Sequence, residues 1–479
     1  MTNTGTLSRN RKIGVLMICS MSLFMVGLDV TAMNVALPAI GRDMQADVSW
    51  LQWTVSAYTV MMASFLMFAG SMADRLGRKR TLITGMSVFS AASLLCSFAP
   101  NVELLVAFRV LQGVGASMLN PVAMSIITNT FVEPRERAQA IGVWGAVFGV
   151  SMALGPVVGG GLVSTLGWDW IFLMNVPLGA AAIGLISCFV PESKAETPRR
   201  FDPVGQVLMV GLLASVTFGI IEGPSAGWES PLILGAFSVA VVSLAGLLAY
   251  EPQRDQPLID LRFFRSIPFS ASITLSVAAF ATFGGFLFLN TLYLQEVRGL
   301  APLEAGLAVV PLALMTVIMS PVSGRITGRE GPRKPLLIAS ATTIISCGML
   351  VGIGAGTPFA WLVVAYVIFG TGFGLVNAPI TNAAVSGMPV SQAGVAAAVA
   401  TTSRQFGQAV GVAIVGAIVT SHPGSSTGAD LAMASHGAWW ALAASGVGML
   451  VLGLVATSST ARESARRTRR ELDPDAAVA

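Results

Sequence analysis

Apolar runs of roughly twenty residues follow one another along the whole chain, and the charged residues gather in the short polar stretches between them. A helix needs about 20 mostly apolar residues to cross about 30 Å of hydrocarbon, and a single segment satisfies its own backbone there only as a helix. Fourteen runs meet that length: 13–39, 50–70, 81–99, 102–125, 138–163, 169–190, 204–221, 231–250, 268–293, 302–323, 336–355, 359–385, 394–420 and 436–458. The pattern predicts an all-α polytopic membrane protein with 14 transmembrane helices. An even number places both termini on one side.

The basic residues say which side. Short loops rich in Lys and Arg stay cytoplasmic, and with the N-terminus inside, 24 of the 28 Lys and Arg residues fall on that side. They include Arg9, Arg11 and Lys12, the group Arg75, Arg78, Lys79 and Arg80, the pair Arg199 and Arg200, and the tail from Arg462 to Arg470. Arg42 and Arg298 fall outside, and Arg109 and Arg404 lie within spans. The expected location is therefore the cell membrane, multi-pass, with both termini cytoplasmic. Composition agrees, because 54% of residues are apolar and 11% charged, against about 25% charged in a soluble domain. The net charge of +4 is accounted for by the inner loops and tail, so it argues for no nucleic acid partner. The first run continues past signal-peptide length without a convincing cleavage site and reads as an uncleaved first span. Cys19, Cys96, Cys188 and Cys347 all fall in spans with no CxxC pair, and read as small core residues.

The chain also repeats itself. Gly70, Arg75, Gly77 and Lys79-Arg80 recur 254 residues later as Gly324, Arg329, Gly331 and Arg333-Lys334, each set closing the second span of a half. The second copy is degraded, with Gly328 where Asp74 stands in the first and Pro332 where Arg78 stands. The expected organisation is an N-terminal six-helix bundle at 1–190, a two-helix insert with its linkers at 191–267, a C-terminal six-helix bundle at 268–460 and a basic tail at 461–479. Two parallel repeats that rock about a central site are a transporter trait.

Several motifs stand in order. They are Leu28-Asp-Val-Thr-Ala-Met-Asn-Val-Ala-Leu-Pro38, the loop from Gly70 to Arg80, Arg109-Val-Leu-Gln-Gly-Val-Gly115, and a fifth-span set of Gly145, Gly149 and Gly155-Pro-Val-Val-Gly-Gly160. Trp168-Asp-Trp-Ile-Phe-Leu-Met-Asn-Val-Pro177, Glu222-Gly-Pro-Ser-Ala-Gly-Trp228 and Arg404-Gln-Phe-Gly407 follow. With these the chain resembles the major facilitator superfamily along nearly its whole length, and more narrowly its fourteen-span drug/proton antiporters. Asp169 departs from the family, which usually has Arg there. The resemblance implies export of small, often amphipathic or cationic compounds such as antibiotics, driven by proton entry, by a single polypeptide with no cofactor beyond the proton gradient. It also implies that Gly155, Pro156, Gly159 and Gly160 belong to the motif that marks exporters, and that Asp74 is part of a gate.

Charges inside spans are costly, so each is a functional hypothesis. Asp29 and Arg109 lie about 13 and 10 Å from the outer surface at 1.5 Å per residue, depths at which the two side chains can meet. A carboxylate whose partner changes also changes its proton affinity, so Asp29 is the candidate proton-exchange group and Arg109 the residue that biases it. A fixed buried pair is the alternative. Glu222, near the outer mouth of the seventh span, is a candidate for binding or releasing protons, or it simply faces outside water. Arg404 lies about 15 Å into its span with no carboxylate at its depth, and Asn377, Gln405 and Gln408 are its expected neighbours. Asn34 and Gln112 are further candidate cavity groups. In the loop Gly70, Asp74, Arg75, Gly77, Arg78 and Arg80, Asp74 is expected to form ion pairs that stabilise one conformation, while a purely topogenic loop is the competing reading. Gly145, Gly149, Gly155, Gly159 and Gly160 permit close helix approach, and Pro156 bends its span.

Other classes fit less well. The two histidines, His422 and His436, stand apart from any carboxylate cluster, so no metal site or catalytic triad appears, and the chain contains no phosphate-binding loop. The chain is expected not to be an enzyme. A non-transporting membrane sensor has no need of two gate loops, whereas a dedicated exporter of one metabolite or self-made antibiotic shares every feature above.

Overall fold

The computed structural model describes residues 8–195, 201–254, 257–386, 388–389, 392–422 and 428–472. Arg199, Arg200 and residues 473–479 of the expected tail lie outside the described residues. Within them each predicted span is helical and no strand occurs. The first half comprises α1 (Arg9–Asp43), α2 (Val48–Leu76), α3 (Arg78–Ser97), α4 (Val102–Thr130) and α5 (Pro134–Thr165), then a segment broken at Met174 into α6 (Trp170–Leu173) and α7 (Asn175–Phe189). Next come α8 (Pro203–Ala226) and α9 (Pro231–Tyr250). The second half contains α10 (Ile267–Leu292), a broken segment of α11 (Pro302–Ala308) and α12 (Val310–Glu330), α13 (Arg333–Leu350), α14 (Phe359–Val385), α15 (Ala393–Thr420) and α16 (Gly428–Ala456). The chain then forms α17 (Ser459–Leu472).

Eleven of these helical segments are long and apolar enough to cross a membrane, so the chain is a multi-pass membrane protein. The expected fourteen is not reached on that measure, because α3, α13 and α15 fall short of it. The reasons are local. α3 and α13 are short, at 20 and 18 residues, and each opens on basic side chains. α15 carries Arg404, Gln405 and Gln408 in its middle.

The two halves pack alike. α1 packs on α5, α3 on α4, α2 on α4 and α3 on α7, and the corresponding pairs in the second half are α10 on α15, α13 on α14, α12 on α14 and α13 on α16. Gly77 and Gly331 mark equivalent corners, with φ of +112° and +85°, a left-handed backbone that a β-carbon would strain. Each ends a helix by donating its N–H to the carbonyl four residues earlier, Ala73 or Thr327. The second half fills its core with aromatic rings, Phe286 stacked on Phe369 and Phe283 on Phe373 at 4.0 Å between centroids. Cys19, Cys96 and Cys347 are buried as expected, but Cys188 is exposed on the outer face of α7.

The halves meet where α2 packs on α15 and α5 on α11 and α12. α8 lies against α2 and α15 at that junction, and α9 packs on α8. The expected solvated tail is largely a docked helix. Ala461, Ala465 and Thr468 of α17 are buried, Glu471 pairs with Arg265 at 2.8 Å, and Ser464 Oγ accepts from the Ile267 N–H at 3.0 Å. The spacing of those small residues among arginines is a helical stripe facing the body of the protein.

Candidate functional site

Asp29 and Arg109 meet, as their depths predicted. Arg109 Nη1 donates to Asp29 Oδ2 at 2.7 Å, and the two side chains are 0% and 1% exposed. Asp29 Oδ1 accepts two further bonds of 3.0 Å, from Gln112 Nε2 and Asn175 Nδ2. Arg109 is held in turn by the Thr54 carbonyl at 3.0 Å and Gln112 Oε1 at 2.6 Å, with its guanidinium 4.2 Å from the Tyr58 ring centroid. Gln112 also donates to Ser93 Oγ at 2.8 Å. Five helices of the first half thus converge on one charge pair. Burying two ions is expensive unless their remaining hydrogen-bonding capacity is met, and here neutral amides and a carbonyl meet it. Asn175 was missed as a site residue. Its only signal was one amide inside the apolar run after Trp168.

The far end of the bundle, away from the basic loops, is sealed. α5 lies against α1 through Gly155 and Gly159, the latter so close that a β-carbon would sit 2.8 Å from Ala32 Cα. It lies against the second half through Gly160, where a β-carbon would sit 2.5 Å from the Pro302 carbonyl oxygen, and Gly306 of α11 packs on the Pro156 carbonyl. The seal is closed further by Gln295 donating to the Val35 carbonyl at 2.8 Å, Leu303 N–H to Ser164 Oγ at 3.2 Å, and Arg42 pairing with Glu296 at 3.7 Å. Gln52 Nε2 clamps α2 to α15 by donating to the carbonyls of Val412 and Ala413 at 3.1 and 2.9 Å. The fifth-span glycines divide in function. Gly149 packs on Val317, but Gly145 has open space and no neighbour that demands its lack of a side chain, which corrects its expected part in close packing.

At the basic end, Asp74 is not the hub expected of it. Its ion pair is a 3.4 Å contact with Arg78, whereas Arg80 turns to Glu192 at 3.8 Å and Arg75 forms no ion pair among the described residues. Glu192, just beyond α7, accepts from the N–H groups of Lys79 and Arg80 at 3.1 and 3.3 Å and so occupies the start of α3. The Gly70–Arg80 loop is pinned within its own half. Gly70 has open space and lines a cavity of about 450 Å³ between α2, α4, α8 and α15 that also includes Asp74.

The remaining candidates lie apart. Glu222, half-buried at the far end of α8, accepts from Trp53 Nε1 at 2.7 Å and Ser225 Oγ at 3.2 Å. Arg404 donates to Thr381 Oγ1 on α14 and lies over the Phe280 ring at 5.9 Å, with a buried Nε that has no acceptor. Its expected neighbours are otherwise engaged. Gln408 packs along Gly284 of α10, Asn377 Oδ1 is buried without a partner, and Gln405 is half-buried. Asn34 donates back to the Val30 carbonyl of its own helix at 2.8 Å. Among the described residues no cluster of metal-ligating side chains occurs.

A repeated helical bundle sealed at one end, with a buried charge pair and a cavity at the other, defines the architecture of a membrane transporter. The profile of the Major Facilitator Superfamily matches residues 19–412, and the chain belongs to that family. It is 34% identical over 401 residues to the multidrug resistance protein Stp of Mycobacterium tuberculosis, covering 84% of this chain and 74% of that one. It is 35% identical over 447 residues to the methylenomycin A resistance protein of Streptomyces coelicolor, covering 92% and 91%. A solved structure of the peptide transporter POT in complex with sulfate shares the fold, with a TM-score of 0.68, 15% identity and 95% of each chain covered.

Proposed function

We propose that this protein is a proton-coupled exporter of small amphipathic compounds, antibiotics among them, with no cofactor beyond the proton gradient. The basic end is cytoplasmic, all fourteen long helical segments span the plasma membrane, and the halves at 1–190 and 268–460 rock about their junction as a monomer. Two relatives named for drug resistance, aligned along 84% and 92% of this chain, support the cargo class. The observation that carries the coupling is the Asp29 network. One carboxylate inside the bundle is held by donors from α4 and α7, so any shift of those helices against α1 changes its partners and hence its affinity for a proton. With the far end sealed and a cavity at the basic end, the structure corresponds to an inward-open member of an alternating-access cycle.

The test is proton movement in proteoliposomes as cationic dyes and common antibiotics are added, with the wild type and Asp29→Asn. Substrate-dependent proton release that vanishes in the variant is expected. Active transport without any proton signal overturns the coupling. A relative named for one antibiotic favours a second reading, a dedicated exporter of a single compound. Transport of several unrelated compounds at comparable rates rules that reading out.

A further inference from the structure

The cavity at the basic end is built by three parts of the chain at once. α2 and α4 supply one wall, α15 another, and the first turn of the inserted helix α8, with Pro257 and Leu258, closes the side. At about 450 Å³ it falls in the size range of small-molecule sites, about 300 to 1,000 Å³. Its chemistry is one-sided. Asp74 and Asp202 both line it, Gln206, Ser71, Ser125 and Thr128 add oxygens, and no Lys or Arg does.

The acceptors are also unspent. Asp202 is 8% exposed, and its Oδ1 caps α8 by accepting from the Gly205 N–H at 2.9 Å while its Oδ2 has no partner. Gln206 donates its Nε2 to the Ser64 carbonyl at 2.8 Å and leaves Oε1 buried and unpartnered. Behind Asp202 stands Glu251, 2% exposed, whose Oε2 accepts from the Leu258 N–H at 2.7 Å and whose Oε1 has no partner. A β-carbon on Gly205 would lie 2.5 Å from that Oε1 and 2.7 Å from Asp202 Oδ2, so the two free carboxylate oxygens are close neighbours. The nearby Arg254 lies over the Tyr250 ring at 5.3 Å and pairs with neither carboxylate. Buried acceptors left without donors are costly. A donor or positive charge arriving from outside relieves that cost.

The rest of the lining is apolar. Phe68 and Phe201 meet edge to face at 4.5 Å between centroids, and Leu66, Met67 and Met124 continue the wall. A small inorganic cation needs a shell of oxygens on most sides, which this wall does not provide. An anion finds no basic side chain. We propose that this cavity binds an amphipathic organic cation, its charged head at Asp202 and Asp74 and its apolar body along Phe68, Met124 and Phe201, and that α8 of the insert is there to complete the site. This deepens the export reading by naming a cargo class and the place where it is first held, and it rests on that reading for the direction of travel.

The experiment uses the full chain in lipid nanodiscs. Binding of tetraphenylphosphonium and of the uncharged triphenylphosphine oxide is measured by calorimetry against empty nanodiscs, for the wild type, Asp202→Asn and Ala398→Trp. Asn at 202 keeps the helix cap, Trp at 398 fills the cavity from the α15 side, and melting temperatures report folding. The wild type is expected to prefer the cation by at least about tenfold, the scale of one charged hydrogen bond. Asp202→Asn is expected to erase that preference and leave the neutral compound unchanged, and Ala398→Trp to weaken both. Equal binding of the two compounds by wild type and Asp202→Asn, as for a slot that holds lipid tails, overturns the proposal. So does binding that Ala398→Trp leaves intact. Export of the same cation from proteoliposomes separates the two readings. Binding that behaves as expected without any export overturns the exporter and keeps the site, whereas export unchanged in both variants overturns the site and keeps the exporter.

Discussion

The Asp29–Arg109 pair makes a quantitative prediction when Asp29→Asn and Arg109→Gln are made singly and together. Removing one member of a buried ion pair costs about 3 to 5 kcal/mol, because the other charge stays behind uncompensated. The two single variants differ here. An orphaned Arg109 keeps the Thr54 carbonyl, Gln112 Oε1 and the Tyr58 ring face at 4.2 Å, which returns about 1 to 2 kcal/mol. Asp29→Asn is therefore expected to cost about 2 to 3 kcal/mol. An orphaned Asp29 keeps only the neutral donors Gln112 and Asn175, so Arg109→Gln belongs at about 3 to 5 kcal/mol. With both charges gone, the amides bond to one another and the double variant costs no more than the worse single one. The coupling is then about 2 to 3 kcal/mol. Reversible unfolding in mixed micelles of rising SDS content, followed by far-UV circular dichroism, reads all four proteins. Single-variant costs that add to within about 0.5 kcal/mol would refute the reasoning, since contact at 2.7 Å in a dry core demands coupling.

Gly160→Leu places a side chain against Pro302 and Leu303, and is expected to open the far end. A reporter cysteine at position 164 should then react several-fold faster with an impermeant maleimide, and an unchanged rate counts against the seal. Gly77→Ala forces a β-carbon into a φ of +112° and against the Glu192 carboxylate; a loss of at least about 1 kcal/mol is expected in the same unfolding assay. Gly145→Ala meets open space in mid-helix and should be neutral or stabilising by up to about 1 kcal/mol. Glu192→Ala removes the acceptor at the start of α3 and is expected to cost about 1 kcal/mol, with Glu192→Gln retaining most of it.

Much of this architecture could be read along the chain because a membrane limits what a segment can do. Twenty apolar residues become a helix, and depth follows from counting at 1.5 Å per residue. That is why Asp29 and Arg109, 80 residues apart, could be matched before any packing was known. What escaped was the partner each group takes once the helices close. Arg80 finds Glu192 only because the chain returns past α7 to the start of α3, a contact over 112 positions with no spacing rule to announce it. Asn175 was hidden because one amide in an apolar run looks like any other. The docking of α17 was written in the spacing of Ala461, Ala465 and Thr468, but the arginines between them read more strongly as a solvated tail. Asp202 and Glu251 sit at helix ends beside loops, where a carboxylate ordinarily caps a helix or meets water, so their burial is a tertiary fact alone.

Helix α9 stands on the outside of the bundle, packed on α8, with Val241 and Val242 each 67% exposed. α8 in turn lies against α2 and α15, which join the halves. A helix of 20 residues spans about 30 Å, so a bilayer a few ångströms thicker or thinner makes α9 tilt, and the tilt passes through α8 to the junction that must move during transport. The lipid composition of the host membrane thereby becomes a mechanical input to the cycle, felt through a part of the chain that needs no contact with cargo.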